Sequence, residues 1–376
     1  MPIGKAIRAV WSAAFIVFFT LFLLEVAVRI VEGRQLFTVR NWVTESLERN
    51  TETHSARYDA TLGWSAKPNL DIKGIDLNDP NIPDMSDVVV TTDDRGFRST
   101  GDASDLDAET QPIVTIGDSF TWGSEVSDHE TYPAHLQALL KRPVVNAGYG
   151  GWGTDQMWMR MQEVGDSLEP ALIVLSPLTN DVLRNAYRRY GRAFKPFFEI
   201  EGDDLVLRNV PVPRNSTDAR DIGVLQSWFG RFYLATFVAR AFGQEETWIN
   251  RNRLTDRVHS NEESVEIACR LLQKTAEFSR ARNVPVVLML VYSGAEILQG
   301  ERHWFTTQYL ACAAESGIDR IDTFDAFVQA SRNDPDFPAS RYNVWKNGSI
   351  AHMNSAGNLL VAEVLAEALR GRGYLD

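Results

Sequence analysis

The sequence predicts an α/β protein: a three-layer α/β/α sandwich built on a flavodoxin-like, five-stranded parallel sheet and preceded by one transmembrane helix. Short apolar, β-branched runs alternate with longer amphipathic stretches, and this alternation favours a parallel sheet covered by helices on both faces. A separate apolar stretch near the N-terminus predicts the membrane helix. The candidate strands are Ile113–Ile116, Val144–Asn146, Leu172–Leu175, Val284–Val291 and Ile318–Ile321.

Residues 1–34 are interpreted as a membrane anchor. Ala9–Val28 carries a single charged residue, Glu25, and its twenty residues at about 1.5 Å each can cross a hydrocarbon core of about 30 Å. Lys5 and Arg8 precede it and are expected to stay cytoplasmic, which places the main domain outside, in the periplasm. Two arginines after the stretch weaken this bias. A cleaved signal peptide is the alternative, but no convincing small-x-small cleavage site follows the stretch.

Residues 35–110 are more polar and contain several proline and Asn/Asp turn signals. We interpret this region as a stalk or leader that packs onto the main domain. Residues 111–376 form the predicted main domain. Its helix Ser260–Arg282 begins with a capping-box pattern, and a last helix is predicted over Ser355–Arg370.

An insertion over residues 182–260 interrupts the alternation of strands and helices. Phe197–Leu207 is predicted to form a hairpin across Gly202 and Asp203, and Asp221–Phe242 an aromatic-rich helix. Because the insertion leaves the sheet at the edge where open α/β sheets bind ligands, it is expected to act either as a lid or acceptor groove or as a structural cap.

The composition limits the classes of partner and site. Fifty acidic against 38 basic residues give a formal charge of −12, so no basic footprint for nucleic acid is present. The two cysteines, Cys269 and Cys312, are either buried thiols or one disulfide. Neither lies in a metal-binding pattern, so no metal and no cofactor are predicted.

A candidate nucleophile stands where the first predicted strand ends. The run Ile113–Ile116 is followed by Gly117-Asp118-Ser119, and a helical segment follows that. Ser119 is therefore expected at the carboxyl end of a sheet strand, where open α/β sheets build their ligand sites. A helix N-cap is the alternative reading of this serine.

Four ordered motifs resemble the signatures of the SGNH (GDSL-type) hydrolase superfamily, over about Ile113 to Leu369. They are Gly117-Asp-Ser-Phe120, the glycine block Asn146-Ala-Gly-Tyr-Gly-Gly151, Leu178-Thr-Asn180-Asp181, and Ala351-His352-Met-Asn354-Ser-Ala-Gly357. The third has Leu178 where the superfamily has glycine. Leu62-Gly-Trp64 and Gly96-Phe97-Arg98 also resemble leader elements of its membrane-anchored members.

The resemblance implies an active site as well as a flavodoxin-like fold. Ser119 would be the nucleophile and His352 the base that takes its proton. The oxyanion would be bound by the backbone N–H groups of Ser119 and Gly151 and by the side-chain amide of Asn180. For each residue a structural role, as a cap, a tight turn or a packed side chain, is the competing interpretation.

One departure from the superfamily pattern concerns the third member of the site. An aspartate usually stands three residues before the histidine, and this chain has Ser349 there. In a triad this carboxylate orients the imidazole and stabilises its protonated form. Three alternatives are open: a slow Ser–His dyad, a carboxylate supplied from elsewhere in the chain, or an inactive protein.

The sequence thus leads to two hypotheses of different classes. In the first, the protein is a membrane-anchored, outward-facing serine esterase or O-acyltransferase that acts on acyl esters of envelope glycans or lipids. In the second, it is a catalytically inactive subunit of an envelope or membrane complex, bound to a membrane protein partner. Turnover of an acyl ester separates the two.

Overall fold

The computed structural model describes residues 2–36, 42–43, 53–74, 85–102, 104–107, 109–190, 193–214, 223–244, 248 and 256–375. Other parts of the predicted leader, and the predicted start of the aromatic-rich helix at Asp221, lie outside these residues. The strands, in chain order, are β1 (Ala56–Asp59), β2 (Gly63–Ala66), β3 (Asp71–Lys73), β4 (Val89–Thr91), β5 (Ile113–Gly117), β6 (Val144–Asn146), β7 (Leu172–Ser176), β8 (Tyr187–Tyr190), β9 (Ala193–Phe194), β10 (Phe197–Glu201), β11 (Asp204–Arg208), β12 (Asp256–Arg257), β13 (Val286–Leu290), β14 (Asp319–Asp322), β15 (Tyr342–Val344) and β16 (Ile350–Met353).

The α-helices are Pro2–Val31, Ser119–Trp122, Tyr132–Leu140, Thr154–Ser167, Val224–Phe229, Tyr233–Ala241, Asn261–Arg282, Gly294–Gln299, Trp304–Glu315, Phe324–Asn333 and Ser355–Gly371. Among the described residues, the 3₁₀ helices are Asp128–Glu130, after the second helix, and Thr179–Ala186, after β7.

The central sheet has the order β14-β13-β7-β5-β6, and its neighbouring strands all run parallel. The predicted fold class is therefore confirmed, and each predicted strand lies within about two residues of an observed one, which is the usual uncertainty of element ends. Every residue of β5, β7 and β13 is buried, as expected where helices cover both faces. When the five strands of this sheet are numbered 1 to 5 along the chain, their order across the sheet is 2-1-3-4-5. This is the flavodoxin-like order.

This strand order determines where a site can form. β5 lies between β6 and β7, with Thr115 opposite Asn146 on one side and Val174 on the other. The segments after these three parallel strands therefore leave the same sheet edge next to one another. Ser119, Gly151 and Asn180 all lie on these segments.

The long helix Asn261–Arg282 begins as the sequence predicts. The Ser260 hydroxyl accepts a hydrogen bond from the N–H of Glu263 at 3.1 Å, and the Glu263 carboxylate accepts one from the N–H of Ser260 at 2.8 Å. This capping box satisfies two donors at the helix start. Cys269 on this helix forms a disulfide with Cys312 on the helix Trp304–Glu315, which decides between the two alternatives for the cysteines.

The contacts divide the chain into two units. The smaller comprises Met1–Thr51, Gly191–Ala193 and Asn215–Asp256, and the larger comprises the remaining segments. Within the smaller unit, the N-terminal helix contains one stretch, Val10–Val31, long and apolar enough to cross a membrane, as a signal sequence also would be. The assignment of residues 1–34, 35–110 and 111–376 to an anchor, a leader and a main domain stays a prediction.

The prediction of a single helix over Asp221–Phe242 is wrong. Two helices, Val224–Phe229 and Tyr233–Ala241, stand in its place and are separated at Gly230. The carboxylate of Glu25 accepts hydrogen bonds from the N–H groups of Tyr233 and Leu234 and so supplies a start for the second helix that the local sequence does not show.

Trp64, from the part of the leader that belongs to the larger unit, contacts the glycine block and the residue after it. The Trp64 indole donates to the carbonyl of Gly150 at 2.8 Å, and the Trp152 indole donates to the carbonyl of Trp64 at 3.1 Å. The predicted hairpin also forms, as β10 and β11 paired antiparallel from Phe197 opposite Arg208. It contacts the helix Thr154–Ser167 through the rings of Phe198 and Trp158.

Candidate active site

Ser119 opens the short helix directly after β5. Asp118 caps this helix by accepting a hydrogen bond from the N–H of Phe120 at 2.9 Å. Gly117 is required at the bend, because a Cβ there would lie 2.0 Å from the Thr121 hydroxyl oxygen and 2.3 Å from the Ser176 carbonyl oxygen. The turn thus holds Ser119 at the carboxyl edge of the sheet.

His352 reaches Ser119 from the other end of the sequence. It lies on β16, and Asn354 caps the last helix just after it by accepting from the N–H of Gly357. The distance from His352 Nε2 to Ser119 Oγ is 2.9 Å. The structure therefore brings together these two predicted residues at a distance suitable for proton transfer.

The other imidazole nitrogen contacts a carboxylate that the motifs do not include. His352 Nδ1 lies 2.8 Å from Glu125 Oε1. The Glu125 side chain is only 5% exposed, against 28% for His352, and among the described residues its second oxygen has no hydrogen-bond partner. A carboxylate that accepts from Nδ1 orients the imidazole ring and leaves Nε2 directed at Ser119. Of the three alternatives left by the sequence, this geometry corresponds to a carboxylate supplied from elsewhere.

Ser349 does not take the place of that carboxylate. It is exposed in the turn between β15 and β16, where its N–H donates to the Asn347 side chain and its carbonyl accepts from the N–H of Trp345. Within the described part of the chain, His352 instead contacts Ser119, Glu125 and the ring of Phe120.

Glu125 occupies an unusual backbone conformation. Its φ is +72°, in the left-handed region that non-glycine residues rarely adopt, at a typical cost of about 1–3 kcal/mol. Gly123, two residues earlier, also has positive φ and ends the short helix. Strain of this kind persists only where the surrounding structure enforces it.

Arg98, from the leader, supplies that enforcement. Its guanidinium donates to the carbonyls of Trp122, Gly123 and Val126 at 2.6, 2.5 and 2.6 Å. Its Nε donates to Asp128 at 2.9 Å. Burial lowers the pKa of the Arg98 guanidinium, and the charge of Asp128 opposes that shift. The buried Arg98 side chain thus hydrogen-bonds to the backbone on both sides of Glu125.

Gly151 and Asn180 lie on the segments that flank Ser119. A Cβ added at the neighbouring Gly150 would lie 3.7 Å from Ser119 Cβ, so the glycine block passes close to the serine. Gly151 itself has φ +80°, which favours glycine. Asn180 is exposed in the 3₁₀ helix after β7. That the Gly151 N–H and the Asn180 side-chain amide bind the oxyanion stays a prediction.

A buried charge network lies behind the serine. Arg184 Nη1 contacts the carboxylates of Asp118 at 3.1 Å and Asp181 at 2.5 Å and donates to the carbonyl of Trp152 at 2.9 Å. Burial raises the pKa of the Asp181 carboxyl well above its ordinary value, and Arg184 opposes that shift. Asp181 also accepts from the N–H of Leu178 at 2.8 Å. The network ties the nucleophile turn to the segment that carries Asn180.

Glu125, Arg98 and Arg184 are the site residues that the motifs did not assign a role. Glu125 stands among other acidic residues, including Asp128 and Glu130, and nothing in its sequence context distinguishes it from them. Arg98 belongs to a leader element that the motifs indicate, but the motifs do not indicate its contact with the Glu125 turn. Contacts between distant segments are the only signal for these roles.

Comparison with known protein families gives one match, and the matched residues include most of the candidate site. Residues 115–360, more than half of the chain, match the GDSL-like lipase/acylhydrolase family, and this range includes Ser119, Gly151, Asn180 and His352. A search of curated protein sequences finds no match.

The solved structures that resemble this chain share little sequence identity with it. A lipolytic G-D-S-L family member from Veillonella parvula is 16% identical, covers 69% of this chain and 98% of its own, and gives a TM-score of 0.36. The lipase/acylhydrolase from Enterococcus faecalis is 14% identical, with coverages of 70% and 97% and a TM-score of 0.37. An acetyl xylan esterase from Geobacillus stearothermophilus is 13% identical, with coverages of 72% and 97% and a TM-score of 0.37. At these values nothing about substrate follows from the matches.

Proposed function

Because this chain belongs to the GDSL-like lipase/acylhydrolase family, we propose that it is a serine esterase or O-acyltransferase that is anchored in a membrane and faces outward. The observation that carries this proposal is the unbroken series of contacts from Glu125 to His352 to Ser119. A carboxylate, an imidazole and a hydroxyl in this order are the arrangement that activates serine for acyl transfer.

The reaction begins at the serine hydroxyl. His352 Nε2 accepts the proton of Ser119 Oγ as the oxygen attacks the ester carbonyl carbon, and the carbonyl oxygen becomes an oxyanion. Glu125 accepts the N–H of Nδ1, which leaves Nε2 free to act as the base, and stabilises the imidazolium that forms. The N–H groups of Ser119 and Gly151 and the amide of Asn180 donate to the oxyanion.

The intermediate then collapses to an acyl-enzyme. His352 gives its proton to the departing alcohol as the bond between that alcohol oxygen and the carbonyl carbon breaks. In the second half, His352 takes a proton from an incoming hydroxyl as that oxygen attacks the acyl carbon. His352 then returns the proton to Ser119 Oγ as the bond between Oγ and the acyl carbon breaks. Water in this role gives an esterase and a sugar hydroxyl gives an O-acyltransferase, so the same residues serve both.

Two observations support an outward location. The N-terminal helix contains a stretch able to cross a membrane, with basic residues before it that favour a cytoplasmic N-terminus. The Cys269–Cys312 disulfide fits an oxidising compartment such as the periplasm. An anchored enzyme there meets the acyl esters of envelope glycans and lipids, which are the proposed substrates.

The alternative hypothesis, an inactive subunit bound to a membrane protein partner, drew its main support from the missing aspartate at position 349. The contact between Glu125 and His352 removes that reason. No other described feature of the site favours it over the enzyme.

Turnover tests the proposal directly. Full-length protein in detergent is assayed with a short acyl ester, with and without a saccharide acceptor, alongside Ser119→Ala. Loss of the nucleophile is expected to lower kcat by about 10⁶-fold, as in other serine enzymes, and to abolish labelling by a serine-reactive phosphonate. Ser124→Ala, five residues away, is the matched control and should keep both.

The products then separate the two reaction types. Acylated saccharide indicates a transferase, and free acid alone indicates an esterase. Native protein that neither turns over the ester nor reacts with the phosphonate contradicts the proposal.

A further inference from the structure

Two short helices of the insertion, Val224–Phe229 and Tyr233–Ala241, expose an apolar surface that we call the aromatic patch. All its members are more than half exposed: Val224, Leu225, Trp228, Phe229, Phe232 and Phe242. The four members on the first helix have the spacing i, i+1, i+4 and i+5, so they share one face. A water-soluble surface rarely leaves so many large apolar side chains together.

The charge of this segment differs from that of the whole chain. Residues 223–244 contain two charged side chains, Arg231 and Arg240, and both are basic, whereas the chain as a whole carries −12 and acidic residues flank the segment at 221, 245 and 246. Arg240 pairs with Glu32 at 3.0 Å. Apolar aromatic residues on one face together with basic residues are typical of helices that lie in a lipid–water interface.

The contacts of Glu25 fix the position of the patch relative to the apolar N-terminal helix, within the smaller unit. The Glu25 carboxylate accepts hydrogen bonds from the N–H groups of Tyr233 and Leu234 at 2.9 and 2.7 Å. Glu25 lies six residues before the helix end at Val31, or about 9 Å at 1.5 Å per residue. The second insertion helix therefore begins beside the last turns of the candidate span Val10–Val31, at the depth of the headgroups if that helix crosses the bilayer.

An aromatic and arginine cluster stands at the same end of the span. The rings of Trp42 and Tyr233 meet edge to face at 5.1 Å, and the Arg34 guanidinium lies 5.1 Å from the Tyr233 ring centre and 5.9 Å from that of Trp42. Tryptophan and tyrosine are enriched at membrane–water interfaces, and an arginine near the end of a span can extend its charge to the interface.

We propose that the aromatic patch is a lipid-binding surface that inserts into the outer leaflet, at the boundary between headgroups and acyl chains. This inference rests on the proposed membrane anchor and goes beyond it, because it assigns to the insertion a second membrane contact. Phe229 and Trp228 enter the acyl boundary to a depth of about 5–10 Å, as interfacial helices do, and Arg231 meets the phosphates. Continuity with the outer end of the span favours lipid over a protein partner or a second copy of the chain.

The depth of single labelled positions tests the proposal. Trp228→Cys and Phe242→Cys are each labelled with an environment-sensitive fluorophore under non-reducing conditions, where the native cysteines remain paired. The full-length variants are placed in vesicles of phosphatidylcholine and phosphatidylglycerol. Part of the phosphatidylcholine is brominated either near the headgroup or near the chain end. Phe19→Cys, inside the span, is the reference for deep insertion, and Ser227→Cys, on the other face of the first insertion helix, is the matched control.

The expected result is a loss of fluorescence at both patch positions, greater with bromine near the headgroup than near the chain end, and greater than the loss at Ser227. At Phe19 the deeper bromine should quench more. Patch labels that are not quenched, or quenched no more than Ser227, while Phe19 is quenched, overturn this inference and leave the anchor intact. A blue-shifted but unquenched patch label means that protein covers the patch and also overturns it. An unquenched Phe19 contradicts the anchor and this inference together.

Discussion

Two regions of the candidate site are held in place by different physical means. Ser119 and His352 stand on regular elements: one follows a buried strand of the central sheet, and the other lies on β16 just before a capped helix. Glu125 stands in an irregular turn with positive φ, which Arg98 holds through three carbonyls. The first region is positioned by the sheet and by helix caps, and the second by a single side chain from the leader.

This difference implies that the two regions respond differently to change. Distortion of the nucleophile region requires disruption of the core, whereas the carboxylate can be moved by a change at Arg98 or released by a change at Glu125 itself. The leader is therefore expected to contribute to catalysis through the orientation of His352, although its described residues make no hydrogen bond to Ser119 or His352.

The largest effect is expected at the carboxylate. In Glu125→Gln the neutral amide cannot stabilise the imidazolium and can hold His352 in the wrong tautomer, so we expect kcat to fall by about 10⁴-fold. KM should change little, because the carboxylate does not contact substrate in the proposed mechanism. Steady-state kinetics with an acyl ester measure both constants.

Glu130→Gln is the matched control for that variant. Glu130 is a nearby acid whose carboxylate accepts from the N–H of Ser127 at 2.9 Å, and its loss should leave kcat close to that of the native protein. If Glu125→Gln retains kcat within about tenfold, well short of the triad effect, the contact with His352 is structural and the site works as a dyad.

The two regions also differ in how far the sequence predicts them. The strand at Ile113–Ile116, Ser119 after it and His352 before the last helix follow from local pattern and motif order, because each is set by the hydrogen bonding of a regular element. The position of Glu125 depends on a strained turn and on a buried arginine 27 residues earlier. The spacing of apolar residues along the chain does not indicate a contact between segments so far apart. The break at Gly230 was missed for the same reason, since the start of the following helix is satisfied by Glu25 from far away in the chain.

A second prediction concerns Asn180, which belongs with the regular region because it follows β7. Asn180→Ala removes one proposed oxyanion donor and should lower kcat by about 10²–10³-fold. Since the side chain is exposed, thermal stability should change little. Asn180→Asp has nearly the same shape but brings a negative charge in place of two donors, so its kcat should be no higher than that of the alanine variant.

Activity retained in both Asn180 variants would remove this residue from the oxyanion site. The backbone donors of Ser119 and Gly151 would then be sufficient. A melting curve for each variant distinguishes this outcome from a loss of folded protein.

A third prediction tests whether Arg98 acts through Glu125. Arg98→Lys keeps a positive charge near Asp128 but cannot bridge the carbonyls on both sides of the turn. Displacement of a catalytic group by about 1 Å can cost up to about 10²-fold, so we expect kcat to fall by roughly 10- to 100-fold. In a Glu125→Gln background the same substitution should cost almost nothing, because the carboxylate that it positions is already lost.

Arg160→Lys provides the matched control. Arg160 is also a buried arginine, but its partners are Phe97, on which it stacks at 4.6 Å, and Glu163, instead of the carbonyls of the Glu125 turn. A comparable fall in kcat for Arg160→Lys, or equal Arg98→Lys effects in both backgrounds, would indicate general destabilisation instead of positioning.

The smallest effect is expected at Ser349. Its side chain is exposed in the turn between β15 and β16, and its backbone is hydrogen-bonded to Asn347 and Trp345. Ser349→Ala should therefore leave kcat unchanged.

Ser349→Asp restores the carboxylate that the superfamily has at this position. It tests whether that carboxylate or Glu125 is the one that serves His352. With Glu125 already 2.8 Å from His352 Nδ1, a second acid has no donor left to accept from, and kcat should stay at the native value. In a Glu125→Gln background the imidazole lacks a charged partner, and any recovery of kcat on adding Ser349→Asp measures how closely position 349 can approach the ring. A gain in kcat from Ser349→Asp in the otherwise native protein would show that Glu125 does not serve His352 in solution.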